Sequence, residues 1–271
     1  MRATDFRAFC DLAYQQAGIR LGEEKQALVS ARVGKRLRAL NLQTETQYLE
    51  VLRTDDGGEL IEFLDVISTN FTSFFREPAH FDALAADLGK RLAGGQQSFK
   101  LWCAAASSGE EPYTIALVLD ELFAGQGVDW RVLCTDISTR VLGMAKRGQY
   151  RGQQLKSVRR DALARSFIKR SGEGDEAIYE AGAELKSHLT FSRLNLARPP
   201  FPMRGPFDAV LCRNVMIYFD APIRQALVTE MERLVRPGGL VFVGHAETLS
   251  GLQTGLQVVS PSVYRKPGAP P

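Results

Sequence analysis

The stretch FKLWCAAASSGEEPYTIALVLDEL, residues 99–122, decides the fold of this 271-residue chain. Residues 99–104 form a short apolar run of the kind found in a buried parallel strand. Pro112 then opens an amphipathic helix that extends to Leu122. Small residues separate the two elements, so a ligand can approach the backbone closely, and free N–H groups at a helix start bind anionic groups. The stretch therefore predicts a ligand site between a strand and a helix.

Two features distinguish this loop from a dinucleotide site. The G-x-G-x-x-G pattern is missing, and Glu110 and Glu111 place negative charge where a pyrophosphate would lie. A ligand with both a carboxylate and an ammonium, such as the methionine part of S-adenosylmethionine, suits the loop better. The alternative is that both glutamates only complement the dipole of the helix that they begin.

Strand-like and helix-like segments continue to alternate after this stretch. Strands are predicted at 130–135, 207–212 and 240–244, and helices at 138–147 and 222–235, with RPGG at 236–239 stopping the last helix. This order predicts an α/β fold with a parallel, doubly wound sheet that binds ligands at the carboxyl ends of its strands. The polar residues at those ends are residues 107–111, Asp136, Asn195, Arg213, Asn214 and His245.

Asp136 directly follows the predicted strand at 130–135. An acid at the end of the second strand holds the two ribose hydroxyls in nucleotide-binding folds, because one carboxylate can accept a hydrogen bond from both. The alternative is that Asp136 caps the helix that begins at Ser138.

Residues 1–69 show only helical periodicity and predict a small all-α domain with helices at 23–40, 44–52 and 59–67 after a first one. A turn is expected at residues 55–58. The second helix carries basic residues off its apolar side: Lys25, Arg32, Lys35, Arg36 and Arg38. This face either docks an acidic partner or is merely solvated.

A segment dense in aromatic and hydroxyl residues, STNFTSFFREPAHF at 68–81, follows the helical domain. Pro78 begins a helix to about residue 92, so residues 70–92 are interpreted as a linker before a second domain at 93–266. Burying an arginine among phenylalanines costs free energy unless its guanidinium pairs with a carboxylate. Arg76 is therefore a candidate pocket residue, although the segment could equally be a hydrophobic staple between the domains.

Residues 155–168 are predicted to be helical, and a small β-subdomain is predicted at about 170–193, at the edge of the sheet. Its two alternating runs lie at 177–180 and 188–191. Residues 267–271 are interpreted as a disordered tail.

The formal net charge of +3, with 24% charged residues, is typical of a soluble globular protein that does not seek polyanions. Cys103, Cys134 and Cys212 lie in apolar strand-like runs, and Cys10 forms no C-x-x-C pair with them, so we expect reduced thiols and no metal site. We find neither a secretory leader nor a membrane-spanning run and predict a cytoplasmic protein without membrane insertion.

Five motifs together resemble one family, the chemotaxis receptor glutamate methyltransferases, or CheR family. They are STNFTSFFREPAHF (68–81), WCAAASSGEEPYTIA (102–116), CTDIS (134–138), GPFDAVLCRNVMIYFD (205–220) and RPGGLVFVGHAE (236–247). The resemblance implies a Rossmann-like S-adenosylmethionine-dependent methyltransferase domain with a small inserted β-subdomain, preceded by a small all-α N-terminal domain. It also implies methyl transfer from S-adenosylmethionine to glutamate side chains on the cytoplasmic helices of chemoreceptors, leaving S-adenosylhomocysteine.

The resemblance also implies the roles of particular residues. The cofactor-binding residues would be Asn70, Thr72, Arg76, Glu111, Asp136, Asn195, Leu196, Arg213 and Asn214, with Arg76 and Tyr218 as the catalytic residues. The basic helix, with Arg32, Lys35, Arg36 and Arg38, would dock the receptor. In the family, the β-subdomain can also hold a peptide from the receptor's C-terminus, although the sequence at 170–186 diverges here. We expect a monomer that binds no nucleic acid.

The chemistry is consistent with this resemblance. A glutamate side chain with a pKa of about 4.3 is already a carboxylate at pH 7, so it needs no general base to accept a methyl group. The enzyme must position the acceptor in line with the sulfonium methyl and exclude water. A hydroxyl acceptor would need a base, for which His245 is the candidate at a strand end. Methylation of RNA or of a small molecule, and a non-catalytic adaptor, are the alternatives.

Overall fold

The computed structural model describes residues 1–54, 57–68 and 71–268. Its N-terminal part is helical, as predicted, and contains α1 (Ala3–Ala17), a 3₁₀ turn (Glu23–Lys25), α2 (Gln26–Ala39), α3 (Glu45–Thr54) and α4 (Gly58–Ile67). The rings of Phe9, Tyr48 and Phe63 are fully buried at its centre, with centroids 5.6–6.3 Å apart. Asp55 and Asp56, where a turn is predicted, lie outside the described residues.

The strands of the second domain divide between two sheets. They are β1 (Ser98–Cys103), β2 (Asp129–Asp136), β3 (Gln149–Arg151), β4 (Phe167–Ser171), β5 (Ile178–Ala181), β6 (Leu189–Arg193), β7 (Phe207–Cys212), β8 (Val235–Val243), β9 (Gln257–Ser260) and β10 (Val263–Arg265). The large sheet has the order β6-β2-β1-β7-β8-β10-β9, in which β10 runs antiparallel to both of its neighbours. The small sheet has the order β3-β5-β4.

Helices cover both faces of the large sheet. They are α5 (Ala79–Ala93), α6 (Glu110–Phe123), α7 (Thr139–Arg147), α8 (Arg160–Ser166), α9 (Ala183–Ser187) and α10 (Ala221–Leu234). Side chains of β1 alternate between the two layers, with Leu101 in one hydrophobic core and Trp102 in the other. The predicted doubly wound α/β architecture is therefore present.

The β-insertion differs from its predicted bounds of 170–193. The alternating run at 188–191 belongs to β6, which pairs in parallel with β2 at the edge of the large sheet. The small sheet begins earlier, at Gln149, and ends with β5. Alternation with period two indicates a half-buried strand, but it does not tell which sheet the strand joins.

Two further boundaries also differ from the prediction. The helix expected at 155–168 is only α8, because the buried Phe167 starts β4. The RPGG sequence at 236–239 lies inside β8, which begins directly after α10, and the pairing of β8 with β7 shifts register there. A helix-stopping sequence is thus accommodated as an irregularity of the strand.

The cysteines of the large sheet lie where the apolar runs predict them. Cys103, Cys134 and Cys212 are free thiols that are buried in β1, β2 and β7, and Cys10 is also free. In the described part of the chain, no helix combines the length and the apolar character that crossing a bilayer requires.

The helical domain lies over the carboxyl edge of the large sheet. Gln16 at the end of α1 accepts a hydrogen bond from Asn195 Nδ2 at 2.7 Å through its backbone carbonyl. The next turn requires glycine, because Gly18 has φ +68° and a Cβ there would lie 2.7 Å from side-chain atoms of Ala197 and Ile223. This contact fixes the end of α1 above the strand ends.

Candidate functional site

A cleft lies between the two domains at the carboxyl ends of the strands. It is lined by these residues of the predicted site: Thr72, Arg76, Glu111, Asp136, Asn195, Leu196, Arg213, Asn214 and Tyr218. Asn70, the remaining predicted residue, lies outside the described part of the chain. The structure thus brings together residues that are up to 146 positions apart in sequence, from Thr72 to Tyr218.

The helical domain contributes a wall of the cleft that sequence reasoning missed. Its lining residues are Ala17, Ile19, Arg20, Leu21, Lys25, Leu28, Ile67 and Ser68. Most of them belong to the connection between α1 and α2 or to the start of α2. This connection carries no motif that would signal a ligand, and its position becomes apparent only when the two domains are seen docked.

The loop between β1 and α6 forms the floor of the cleft and brings the backbone close to it. Gly109 has φ +103°, and a Cβ there would lie 2.4 Å from the Tyr150 hydroxyl and 3.0 Å from Ala145. Glycine is therefore required at this turn. The backbone N–H of Ser107, at φ +48°, donates to Oδ2 of Asp136 at 2.9 Å.

The two glutamates of the loop face different surroundings. Glu110 is buried beside the small sheet, where its carboxylate accepts hydrogen bonds from Ser108 Oγ at 2.7 Å and Gln154 Nε2 at 3.1 Å. Burial raises the pKa of Glu110. Glu111 instead lines the cleft, where it accepts from Arg213 Nη1 at 2.6 Å and from the Cys103 thiol at 3.3 Å. Glu111 is therefore more than a partner of the helix dipole.

Arg213 is the buried arginine of the site. Its side chain is 1% exposed and forms ion pairs with Glu111 at 2.6 Å and with Glu77 at 3.0 Å. The guanidinium also lies over the ring of Phe81, 5.2 Å from its centroid, and donates to the Arg76 carbonyl. Burial opposes the charge, but the Glu111 and Glu77 carboxylates together raise the pKa of Arg213.

Glu77 holds the strand end next to the cleft, a role that sequence reasoning did not assign. It accepts hydrogen bonds from Asn214 Nδ2 at 3.2 Å and from the His245 backbone N–H at 3.3 Å. Burial opposes its charge, but the hydrogen bonds and the charge of Arg213 lower the pKa of Glu77. The sequence feature that could have identified Glu77 was its position directly after Arg76 in an aromatic-rich segment.

Asp136 lies at the end of β2 and is buried. Its Oδ1 accepts from the Ser138 backbone N–H and its Oδ2 from the Ser107 backbone N–H, both at 2.9 Å. The helix cap itself is Ser138, whose side chain accepts from Val141. Because each carboxylate oxygen has a second lone pair, Asp136 retains acceptor capacity for a ligand in the cleft.

Arg76 differs from the expectation of a buried arginine paired with a carboxylate. It is half-buried, its Nη1 donates to the Phe71 carbonyl at 2.9 Å, and its guanidinium lies 5.5 Å from the centroid of the Phe71 ring. Within the described ranges it forms no ion pair. The buried and paired arginine of this region is Arg213, so the guanidinium of Arg76 remains open to an anionic ligand.

Tyr218 and Asn195 connect the cleft to the helical domain. The Tyr218 carbonyl accepts from the Arg20 backbone N–H at 3.0 Å, and Tyr218 ends the short 3₁₀ turn after β7. Asn195 donates through Nδ2 to the Gln16 carbonyl and accepts from the Ala197 backbone N–H at 3.0 Å.

His245, the candidate base, is not among the residues that line the cleft.

The basic residues of α2 do not form one open face. Arg32 donates to the carbonyls of Ile67 at 2.7 Å and Ser68 at 3.1 Å, which ties α2 to the end of α4. Arg36 pairs with Glu59 at 2.6 Å and with Glu62 at 3.3 Å. The hydrogen bond to the Glu59 carboxylate raises the pKa of Arg36. Lys35 and Arg38 are exposed. As far as the described residues show, these two are the members of the four whose charged groups make no contact within the protein, since Arg32 is held by backbone carbonyls and Arg36 by carboxylates.

Comparison with known proteins identifies the family of the chain. Residues 4–68 match the model "CheR methyltransferase, all-alpha domain", and residues 70–265 match "CheR methyltransferase, SAM binding domain". A chemotaxis protein methyltransferase of Escherichia coli (strain K12) is 39% identical over 96% of this chain and 89% of that protein.

Two more distant relatives agree. Chemotaxis protein methyltransferase 2 of Pseudomonas aeruginosa is 36% identical over 96% of this chain and 92% of its own length. A chemotaxis protein methyltransferase of Borreliella burgdorferi is 34% identical over 94% of this chain and 91% of its own length. With a cleft at the strand ends and both domains matched, the chain belongs to the CheR methyltransferase family and is an S-adenosylmethionine-dependent methyltransferase that acts in chemotaxis.

Proposed function

We propose that this enzyme transfers the methyl group of S-adenosylmethionine to glutamate side chains on the cytoplasmic helices of chemoreceptors and so forms glutamate methyl esters. The observation that carries this proposal is the contrast between the two arginines of the cleft. Arg213 is neutralised by Glu111 and Glu77, whereas Arg76 lines the same cleft without an acidic partner among the described residues. A carboxylate acceptor would supply the anion that Arg76 lacks.

The rest of the cleft suits the cofactor. Asp136 holds the ribose hydroxyls, and Glu111 with the loop backbone faces the methionine part of S-adenosylmethionine. Arg76 and Tyr218 then orient the acceptor carboxylate. When bound, the cofactor supplies an electrophilic methyl group, and the protein's work is alignment and the exclusion of water. The acceptor is already ionised at neutral pH, so no histidine is needed as a base.

Docking of the receptor is the second part of the proposal. Leu28 lines the cleft, and Lys35 lies two helical turns further along the same side of α2, about 10 Å away at 1.5 Å per residue. Lys35 and Arg38 would meet acidic residues of a receptor helix that lies across the cleft. A peptide from the receptor's C-terminus would add a strand to β4, which is an edge of the small sheet. The enzyme works as a monomer in the cytoplasm, without nucleic acid.

The test is incubation with methyl-labelled S-adenosylmethionine and membranes that contain chemoreceptors. We expect label in the receptor that is released as methanol by mild alkali, because a carboxyl methyl ester is alkali-labile. Membranes without receptors and purified RNA serve as controls. Label that resists alkali, or label in RNA, would overturn the glutamate assignment while leaving the methyltransferase activity intact.

A further inference from the structure

Three side chains outside the cleft converge behind Arg213 and Asn214: Glu77, His80 and His245. We call them the histidine–glutamate cluster. His80 Nδ1 lies 3.4 Å and His245 Nε2 4.0 Å from the same oxygen, Oε2 of Glu77. The three donor atoms all lie within 4.8 Å of one another. They come from the start of α5, the segment before it and the turn after β8.

His80 is the member that needs an explanation. It is 1% exposed, and neither of its ring nitrogens has a hydrogen-bond partner among the described residues. Its ring is held in place by Phe242, 5.7 Å away between centroids, and by His245, which meets it edge-on at 4.8 Å. Buried polar atoms almost always have a partner, and leaving one without destabilises the folded state. A bound cation would supply the partner.

The geometry of the cluster suits a metal ion. Two imidazole nitrogens and one carboxylate oxygen form a donor set for zinc, with bonds of about 2.1 Å. At a tetrahedral angle, donor atoms with such bonds lie about 3.4 Å apart, which matches the distance between His80 and Glu77. His245 Nε2 lies 4.0 Å from the same Glu77 oxygen, and its side chain is 54% exposed, so it can rotate toward the ion.

The charges around the cluster are one guanidinium and two carboxylates, and Nη2 of Arg213 lies 3.0 Å from the Glu77 oxygen that faces both histidines. Two carboxylates, Glu77 and Glu111, share the single guanidinium of Arg213. The Glu77 carboxylate is further held by Asn214 Nδ2 and by the His245 backbone N–H. Carboxylates that bind metals are usually oriented by such hydrogen bonds. From these observations, we propose that Glu77, His80 and His245 bind one divalent transition-metal ion, with Zn²⁺ as the best match and an open fourth position on the side of His245.

The site would be coupled to the cofactor cleft. Glu77 contacts both Arg213 and Asn214, which line that cleft. An ion that fixes the carboxylate of Glu77 therefore fixes the end of β7 as well. We expect saturation with Zn²⁺ to change the affinity for S-adenosylhomocysteine, and we expect His245→Ala to abolish this change.

The experiment uses the full chain, stripped with a chelator and titrated with Zn²⁺ alone in a calorimeter. We expect one ion per chain, and at least about tenfold weaker binding in His245→Ala. The matched control is His188→Ala, since His188 is the third histidine of the chain and is stacked on Trp130 away from the cluster. Unchanged binding in His245→Ala, or equal losses in both variants, would overturn the proposal.

Two further measurements keep the test independent of folding and of the cysteines. Substitution of Co²⁺ for Zn²⁺ should give visible d–d absorption without a thiolate charge-transfer band, and the presence of that band would place the ion on cysteine instead. Zn²⁺ should raise the thermal midpoint of the wild type, because it binds only the folded state. An equal rise in His245→Ala would also contradict the site.

Discussion

Nη1 of Arg213 lies 2.6 Å from Oε2 of Glu111 and joins two residues that are 102 positions apart. The contact links the end of β7 to the first turn of α6, at the centre of the parallel sheet. Since Arg213 is almost fully buried, its charge is tolerated only because Glu111 and Glu77 meet it there. The cofactor cleft is therefore built around an internal charge cluster that shapes its floor.

We expect Glu111→Gln to lower the stability of the folded protein. The uncharged amide keeps the shape of the side chain but leaves Arg213 with one carboxylate, so the free energy of unfolding should fall by about 1.5–3 kcal/mol, the scale of hydrogen bonds to charged groups. Urea denaturation measures this loss. Glu121→Gln on the same helix is the control, because its pair with Arg159 is half exposed and should change stability by less than about 1 kcal/mol. Equal effects of the two substitutions would contradict the internal role of Glu111.

Asp136→Asn should weaken binding of S-adenosylhomocysteine by about 1.5–3 kcal/mol, because the amide cannot accept from both ribose hydroxyls. Asparagine is preferable to alanine, since Oδ1 can still accept from the Ser138 N–H, and only the bond from the Ser107 N–H to Oδ2 is lost. Calorimetry measures the affinity. Ribose contacts are assigned wrongly if the affinity stays within error of the wild type while the variant is folded.

Cofactor binding should also depend on pH through the same residue. Burial raises the pKa of Asp136 above the value of an exposed aspartate. The carboxylate is the form that accepts hydrogen bonds, so affinity should be full at neutral pH and should fall on acidification earlier than an ordinary aspartate would predict. Titrations at a series of pH values check the direction. Asp136→Asn should flatten the profile, and a profile that rises towards acid would contradict the assignment.

Arg76→Ala should lower turnover on receptors by about 10- to 100-fold, which corresponds to the loss of a charged hydrogen bond of about 1.5–3 kcal/mol. Stability should change by no more than about 1 kcal/mol, because the side chain is half-buried and forms no ion pair within the described ranges. Arg53→Ala, an exposed arginine of α3, is the control for a simple loss of charge. Normal turnover in Arg76→Ala would show that the acceptor is oriented elsewhere.

The double reversal Lys35→Glu with Arg38→Glu should reduce receptor methylation and leave cofactor affinity intact. Each exposed ion pair is worth less than about 1 kcal/mol, so two reversals are needed for a clear effect, and the effect should shrink as salt is added. Arg7→Glu with Arg53→Glu carries the same change of net charge on other helices of the domain and should be neutral. If both doubles act alike, docking by α2 is refuted and only overall charge matters.

Local patterns in the sequence predict much of this structure. Apolar runs gave β1, β2 and β7 and the buried cysteines in them, because a parallel strand covered on both faces must be apolar throughout. Local patterns failed where the answer depends on distant parts of the chain. The run at 188–191 alternates like any half-buried strand, and its pairing with β2 was not visible in it.

The candidate site shows the same contrast between features that local sequence predicts and features that depend on distant residues. Most of the polar residues predicted at strand ends line the cleft, since topology brings carboxyl ends to one edge, but His245 does not. A carboxylate partner was expected for Arg76, but the buried and paired arginine is Arg213, because an aromatic-rich segment does not reveal which arginine it covers. Arg32 and Arg36 were interpreted as a surface, but their partners Ile67, Ser68 and Glu59 lie on α4 or just beyond it. Helical periodicity describes one helix and not its neighbours.

The parallel pairing of β6 with β2 has a consequence for how the chain is made. Residues 149–181, which hold the small sheet, leave the ribosome after β2 and before β6. During that interval the outer edge of β2 exposes unpaired N–H and C=O groups, a template for association with other chains. The outer edge of β2 thus stays open to association until Leu189–Arg193 has emerged and paired with it.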